Sequence, residues 1–337
     1  MSDRAPAAGH AKHTHIGGQA LIEGVMMRGK INWAVAVRTA DGSIHVEEHD
    51  LPGGKKTGWK KWPVTRGVWA MYETLALSLK AFSISAEYAS PPGVAEDVPP
   101  DEPAPTLTKG EIGLTMVLGI ALSVGLFIVL PALLTNLAVG PSTARPVTWN
   151  VVDGVLRLLV FFIYIAAVGL MPDIRRVFAY HGAEHKCIHA YEQGVPLETE
   201  AIQRFGTLHV RCGTAFLLMV MVIAIVVFSL VPGKAILAAW GVTAGPLVVL
   251  FNIALRIVLL PLVAGLAYEV TVKWAGSHAD SPLVKVLLWP GMQLQRMTTR
   301  PPDDDMIEVA VAAMQAVIDR EAREAADAGP PAEPAFD

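Results

Sequence analysis

The sequence predicts a mainly α polytopic membrane protein, with about four transmembrane helices. A small cytoplasmic α+β unit precedes them and an amphipathic helix follows. Three observations predict this. Hydrophobic residues make up 53% of the 337 and charged residues only 17%, against about 25% charged in a soluble domain. The deficit is local, in runs between 112 and 272 that each approach the roughly 20 apolar residues needed to cross a bilayer. The basic residues also alternate between connecting segments as a membrane topology requires.

Residues 1–15 read as a disordered tail, and His10, His13 and His15 within it as solvated. Met1–His15 has no apolar core of the kind a signal peptide carries. Residues 16–50 read as strands, because Asp41-Gly42 separates the alternating runs Ala34–Thr39 and Ser43–Glu48, a hairpin signal. Ahead of it, Gly17, Gly18, Gly24 and Gly29 imply close backbone approach or positive φ. Pro63 can open a helix, and Val68, Trp69, Tyr72, Leu75, Leu77, Leu79 and Phe82 give 63–88 an apolar face. That helix either lies on the membrane surface or packs on the hairpin, so 16–89 forms one hairpin-plus-helix unit. Residues 90–108, rich in Pro, Asp and Glu, read as a linker.

The bundle occupies 109–275, with spans at Ile112–Thr135, Val151–Met171, Thr214–Val231 and Val248–Val270. Only Arg145 lies between the first two spans and only Lys234 between the last two. The 172–212 loop carries Arg175, Arg176, Lys186, Arg204 and Arg211, and the N-terminal part adds Lys55, Lys56, Lys60, Lys61 and Arg66. The positive-inside rule therefore places both termini and the 172–212 loop in the cytoplasm of a bacterial inner membrane. Residues 235–251 leave room for a fifth span or a re-entrant piece. Asn252 and Arg256 fit near the outer interface, where arginine can snorkel. In 276–328, Leu283–Leu294 is apolar enough to run along the interface, and Pro301–Asp305 is a helix start with acids at the positive end. Ile307, Val311, Met314, Val317 and Ile318 then form one apolar face. The Pro-rich 329–337 reads as disordered.

A net charge of −4 with no large basic patch argues against nucleic acid, and two cysteines make no disulfide framework. The chemistry lies in Tyr180–Tyr191. Wound as a helix at about 100° per residue, this stretch puts His181, Glu184, His185, His189 and Glu192 on one broad face. Histidines four apart can point at one ion. Imidazole plus carboxylate suits a divalent metal, zinc foremost, with manganese and iron compatible. His-x-x-Glu-His is also the pattern of inverted zincin peptidases, where the Glu is the general base.

Leu208–Gly213 brings His209, Arg211 and Cys212 to the same boundary. Glu269 follows near the end of the fourth span, where an acid is costly unless paired, metal-bound or solvated. The expected metal ligands are thus His181, His185, His209 and Glu269. Glu184, Glu192 and Arg211 are the catalytic candidates, a glutamate acting as base for a metal-activated water. His189 and Cys212 accompany them, while Cys187 falls on the other side of the helix as a core residue. The function expected is a metal-dependent hydrolase at the cytoplasmic leaflet, among membrane lipids, with a lipid-linked or membrane-protein substrate. The alternative is a non-enzymatic membrane protein, a divalent-metal carrier or a scaffold, with a structural His/Glu network. A carrier needs ionisable groups deep in its spans, whereas Asp153 and Arg157 lie near an outer end, paired at i, i+4.

These stretches resemble the YqhQ family of bacterial membrane proteins, a domain of unknown function described as a predicted metal-dependent enzyme. The resemblance rests on Gly17–Arg28, Pro63–Val68, Tyr180–Lys186, Ala190–Glu192, Leu208–Thr214 and Thr298–Met306, in order over about 16–320. It implies a metal, and roles for His181, Glu184, His185, Glu192, His209, Arg211 and Cys212. It also draws in Glu23 and Arg28, which spacing does not single out. Val210 stands where the family favours proline.

Overall fold

A computed structural model describes residues 15–51, 58–89, 109–140, 146–210, 212–231, 233–242, 246–275, 278 and 281–327. The expected tails at 1–14 and 329–337, the linker at 90–108 and Arg211 lie outside the described residues.

Four strands come first: β1 Gly17–Leu21, β2 Gly24–Arg28, β3 Asn32–Arg38 and β4 Ile44–Asp50. They form an antiparallel meander in the order β1-β2-β3-β4. The Asp41-Gly42 turn joins β3 to β4 as expected, with Gly42 at φ 82°. Asp41 fastens it by accepting from the Ser43 backbone N–H at 3.1 Å and the Thr39 hydroxyl at 2.5 Å, which lowers its pKa to about 2. The glycine-rich run becomes β1 and β2, joined through Ile22 and Glu23, with Glu23 at φ 50°.

The sheet is covered on both faces, because side chains alternate along a strand. Val25, Met27, Ala34 and Ala36 join one core with Ala183, Ile307 and Met314. Met26, Trp33, Val35 and Val37 join another with Ala81 and Ile84. The second core is closed by α1, Thr65–Tyr88. The C-terminal part of this helix packs on the sheet, where Ser85 donates to the Ile22 carbonyl at 2.6 Å, while Tyr72, Leu75, Leu79 and Phe82 of the expected apolar face stay exposed.

The membrane part follows as α2 Lys109–Val124, α3 Leu130–Val139 and α4 Pro146–Val168. A widened π turn at Gly125–Val129 joins α2 to α3. Pro131 lacks the N–H that would bond back one turn, which accounts for the widening. Next come α5 Pro172–Glu192, α6 Thr199–Gln203 and α7 Gly213–Leu230. Then come α8 Gly233–Ala238 and α9 Pro246–Tyr268, the latter continued by a π-helical stretch Glu269–Ala275.

Among the described residues, four helical segments are long and apolar enough to cross a membrane: Val117–Val139, Val147–Val168, Gly213–Leu230 and Leu250–Ala275. The six-residue α8 is too short for a fifth span. α1 and α9 cross where neither has room for a side chain. A Cβ on Gly67 would lie 2.6 Å from Cβ of Tyr268, and one on Gly265 would lie 2.5 Å from the Val64 carbonyl.

α10, Pro282–Thr298, keeps Leu283, Val286 and Trp289 exposed and buries Leu294 and Gln295. α11, Asp304–Asp327, lays its apolar face across the sheet beside α5. The sheet, α5 and α11 thereby form one core at the end of the bundle where α4 finishes and α7 begins.

Candidate metal centre

α5 is placed with little freedom. Met171 is extended, Pro172 takes the first turn where its missing N–H costs nothing, and Asp173 faces the positive end. At the other end Gly194 is left-handed, at φ 66°. Its N–H bonds to the Tyr191 carbonyl, and the Val195 N–H to that of Ala190, which is a Schellman cap. Chain 298–300 runs along the helix, and Gly182 makes room for the Arg300 carbonyl. The Arg300 N–H bonds to the Phe178 carbonyl at 2.8 Å, which brings the Thr298 carbonyl over His181.

His181 donates its Nδ1–H to that carbonyl at 2.8 Å, and His185 donates its own to the Thr207 carbonyl at 2.5 Å. A carbonyl only accepts, so both rings carry their proton on Nδ1 and present a lone pair at Nε2. This orientation by an outer partner is what metal-ligating histidines usually have. Cys212 caps α7 and lies with its Sγ 3.2 Å from His181 Nε2. Ligand atoms of His181, His185 and Cys212 all fall within 4.8 Å of one another. Ligands around a tetrahedral zinc lie roughly 3.5 Å apart, so nitrogen, nitrogen and sulfur here suit that ion. Burial, with His181 alongside, depresses His185 to about 2, keeping it a neutral ligand. Burial raises the Cys212 thiol, while hydrogen bonds from Thr214 work against that.

Glu184 completes the group. Its Oε2 lies 3.5 Å from His185 Nε2 and 3.9 Å from His181 Nε2. The side chain is buried, and burial lifts its pKa to about 8, opposed by His181 and by the Gly18 N–H. β1 passes so close that a Cβ on Gly18 would lie 2.6 Å from Glu184 Cγ and 2.8 Å from Oε1. The close approach implied by the glycine-rich run is therefore to this carboxylate.

One turn further along α5, His189, Glu192 and His209 form a second group within 4.8 Å. His209 Nε2 is 3.3 Å from Glu192 Oε2, and His189 donates to the Leu208 carbonyl at 2.9 Å. Gln295 clamps His209 through both its backbone N–H and its carbonyl, each at 2.9 Å. The groups adjoin, with the His185 and His209 rings 5.6 Å apart.

Some expected site residues land elsewhere. Glu269 is not brought to the histidines. It accepts from Arg66 Nε at 2.8 Å, pairs with Arg66 Nη2, and accepts from the Val64 N–H at 3.1 Å. Val64 has φ 68°, unusual for a β-branched residue, so Glu269 holds the turn into α1. Glu269→Ala is expected to leave metal content unchanged and to lower the melting temperature only slightly, because water screens an exposed pair. A fall in metal content would return Glu269 to the ligand set. Glu23 binds Arg176 in bidentate fashion at 2.6 and 2.5 Å and lies 3.3 Å from the Tyr180 hydroxyl. Arg28 ends β2 opposite Trp33. Cys187 is fully buried in the core.

The structure also names residues that motif spacing missed. The Thr207 and Thr298 carbonyls and the Gln295 amide orient the ring of ligands. Backbone carbonyls leave no residue-type signal, and only the Thr298–Met306 stretch marked that part of the chain.

A cavity of about 460 Å3 opens onto Glu184, His185, His209 and Cys212. Gly17 and Gly18 of β1, Phe161 and Ile165 of α4 and Leu217 of α7 line the rest of its course.

Fold and site together define a four-span helical protein of membrane type, with a buried His/Cys/Glu group where a sheet-capped core meets the bundle. A family model described as "Protein of unknown function (DUF1385)" matches residues 62–320. The chain is also 32% identical over 316 residues to the "Uncharacterized protein YqhQ" of Bacillus subtilis (strain 168), covering 91% of this chain and 93% of that one. The chain belongs to this family. No solved structure matches.

Proposed function

We propose that the protein is a metal-dependent hydrolase working at the membrane surface. His181, His185 and Cys212 hold a divalent ion, zinc foremost, and Glu184 acts as general base. One observation carries this: both imidazoles are held at Nδ1 by backbone carbonyls, so that both Nε2 atoms face the same thiol and the Glu184 carboxylate. The bound ion would polarise the scissile carbonyl and the attacking water.

The residues do the rest. Glu184 takes a proton from water as the new C–O bond forms at the carbonyl carbon. It returns that proton to the leaving alcohol or amine as the old bond breaks, so one water is consumed and an acid is released. Thr298 and Thr207 keep the ring nitrogens aimed, and Gly18 donates to the carboxylate and fixes its position. The basic residues of 172–212 support a cytoplasmic position for this end of the bundle and for both termini.

Elemental analysis of protein purified without chelator tests the reading. Wild type is expected to hold about one zinc per chain, and His185→Ala to hold none. Because His185 is fully buried, the half-buried Cys212→Ser is the control for folding. It should keep its melting behaviour and lose the thiolate band of the cobalt-substituted protein. Absence of stoichiometric metal from the wild type would overturn the proposal.

A further inference from the structure

The cavity beside Glu184 carries the substrate class, a step that rests on the hydrolase reading. It has a polar end and an apolar course. The polar end is the site itself, where Gly17 and Gly18 bring only backbone. The apolar course is built by spanning helices: Phe161 and Ile165 belong to the last two turns of α4 and Leu217 to the first turns of α7. Both helices are among the four apolar enough to cross a membrane. Leu217 walls the cavity and is still 45% exposed, so the cavity is open at this side chain.

A water-soluble substrate would find an apolar wall where it needs hydrogen bonds, at a cost in unpaired polar groups. An apolar chain already in the bilayer would meet the same kind of surface on entering. Phe161, Ile165 and Leu217 form one apolar course leading to one polar end, which is the outline of a single chain with a small head.

We propose that the substrate is a single-chain amphiphile that enters from the bilayer between α4 and α7. Its chain lies along Phe161, Ile165 and Leu217. Its ester or amide head, one small polar group, reaches Glu184.

The test is photolabelling of the full-length protein in nanodiscs with a diazirine-bearing long-chain fatty ester. Labelled peptides are read by mass spectrometry, and metal content is measured on the same preparation. Label is expected on the peptides carrying Phe161, Ile165 or Leu217, competed by an unlabelled long-chain ester and not by a short-chain, water-soluble one. Leu217→Trp, or Ile165→Trp if the first does not fold, should cut that labelling at least fivefold and leave the metal in place. Label spread evenly over the bundle and unchanged by either substitution would overturn the proposal. So would equal competition by the short-chain ester, which would mean entry from water. Labelling that persists in a protein without metal sinks the hydrolase reading and supports the chain site. Metal without specific labelling sinks the chain site alone.

Discussion

Gly18→Ala is expected to abolish turnover while leaving the metal bound. The added methyl would sit 2.6 Å from Glu184 Cγ, 2.8 Å from Oε1 and 2.9 Å from the Met26 carbonyl. None of these contacts can persist at that distance. The strand cannot retreat easily, because it is paired with β2 along its whole length. The carboxylate therefore swings out of the site. Loss of a positioned general base costs about 100- to 10,000-fold in rate. The ligands come from α5 and from the residue capping α7, so the metal should stay.

The substitution also overpacks the contact between the exposed Gly18 and the buried Glu184, at a cost of about 1 kcal/mol, the low end for overpacking. Glu184→Gln separates these effects, since it keeps the shape and removes the proton acceptor. Both variants should lose hydrolysis of a fluorogenic long-chain ester in mixed micelles, and only Gly18→Ala should melt earlier. Turnover at the wild-type level in Gly18→Ala would remove Glu184 from the mechanism. Loss of metal in Glu184→Gln would make that residue a ligand instead.

The same strand shows how far the sequence could be read. Four glycines signalled close approach, but the partner is a carboxylate 166 residues away, and only tertiary packing supplies that pairing. The spanning segments were legible because hydropathy is a property of consecutive residues, and α4 and α7 lie within a few residues of the expected runs. The histidine face of α5 was legible for a related reason, since helical period maps spacing onto direction.

Direction does not name what stands opposite. Glu269 and Cys212 both lay at the expected boundary. One meets a guanidinium from α1 and the other meets His181. α7 and α9 pack on each other, and the difference is set by what their ends meet: the π-helical stretch after α9 meets α1, and the residue capping α7 meets α5. The apolar stripe of α11 likewise predicted a buried face, while the strand residues that bury it lie 271 to 289 positions earlier, from Ile307 against Ala36 to Met314 against Val25.

Glu23 carries the largest expected effect on stability. Its carboxylate is buried and binds both Arg176 nitrogens, with the Tyr180 hydroxyl close by. It ties the β1–β2 turn to α5 at Arg176, five residues before His181, and at Tyr180, one residue before it. Removing one partner of a fully buried pair costs about 3–5 kcal/mol. Arg176 keeps 35% of its side chain exposed, so water relieves part of that loss, and roughly 2–3 kcal/mol is expected for Glu23→Ala. A second effect works the other way at the same position. Glu23 is held at φ 50°, and a left-handed residue with a Cβ costs about 1 kcal/mol that glycine does not incur. Glu23→Gly should therefore melt above Glu23→Ala, although it removes the same carboxylate and more side chain. Melting curves of both variants in one detergent check the order. If glycine is the less stable of the two, the turn is not strained and the loss lies wholly in the ion pair. If neither variant differs from wild type, the Arg176 pair does not anchor the sheet, and the aim of His181 comes from the Thr298 carbonyl alone.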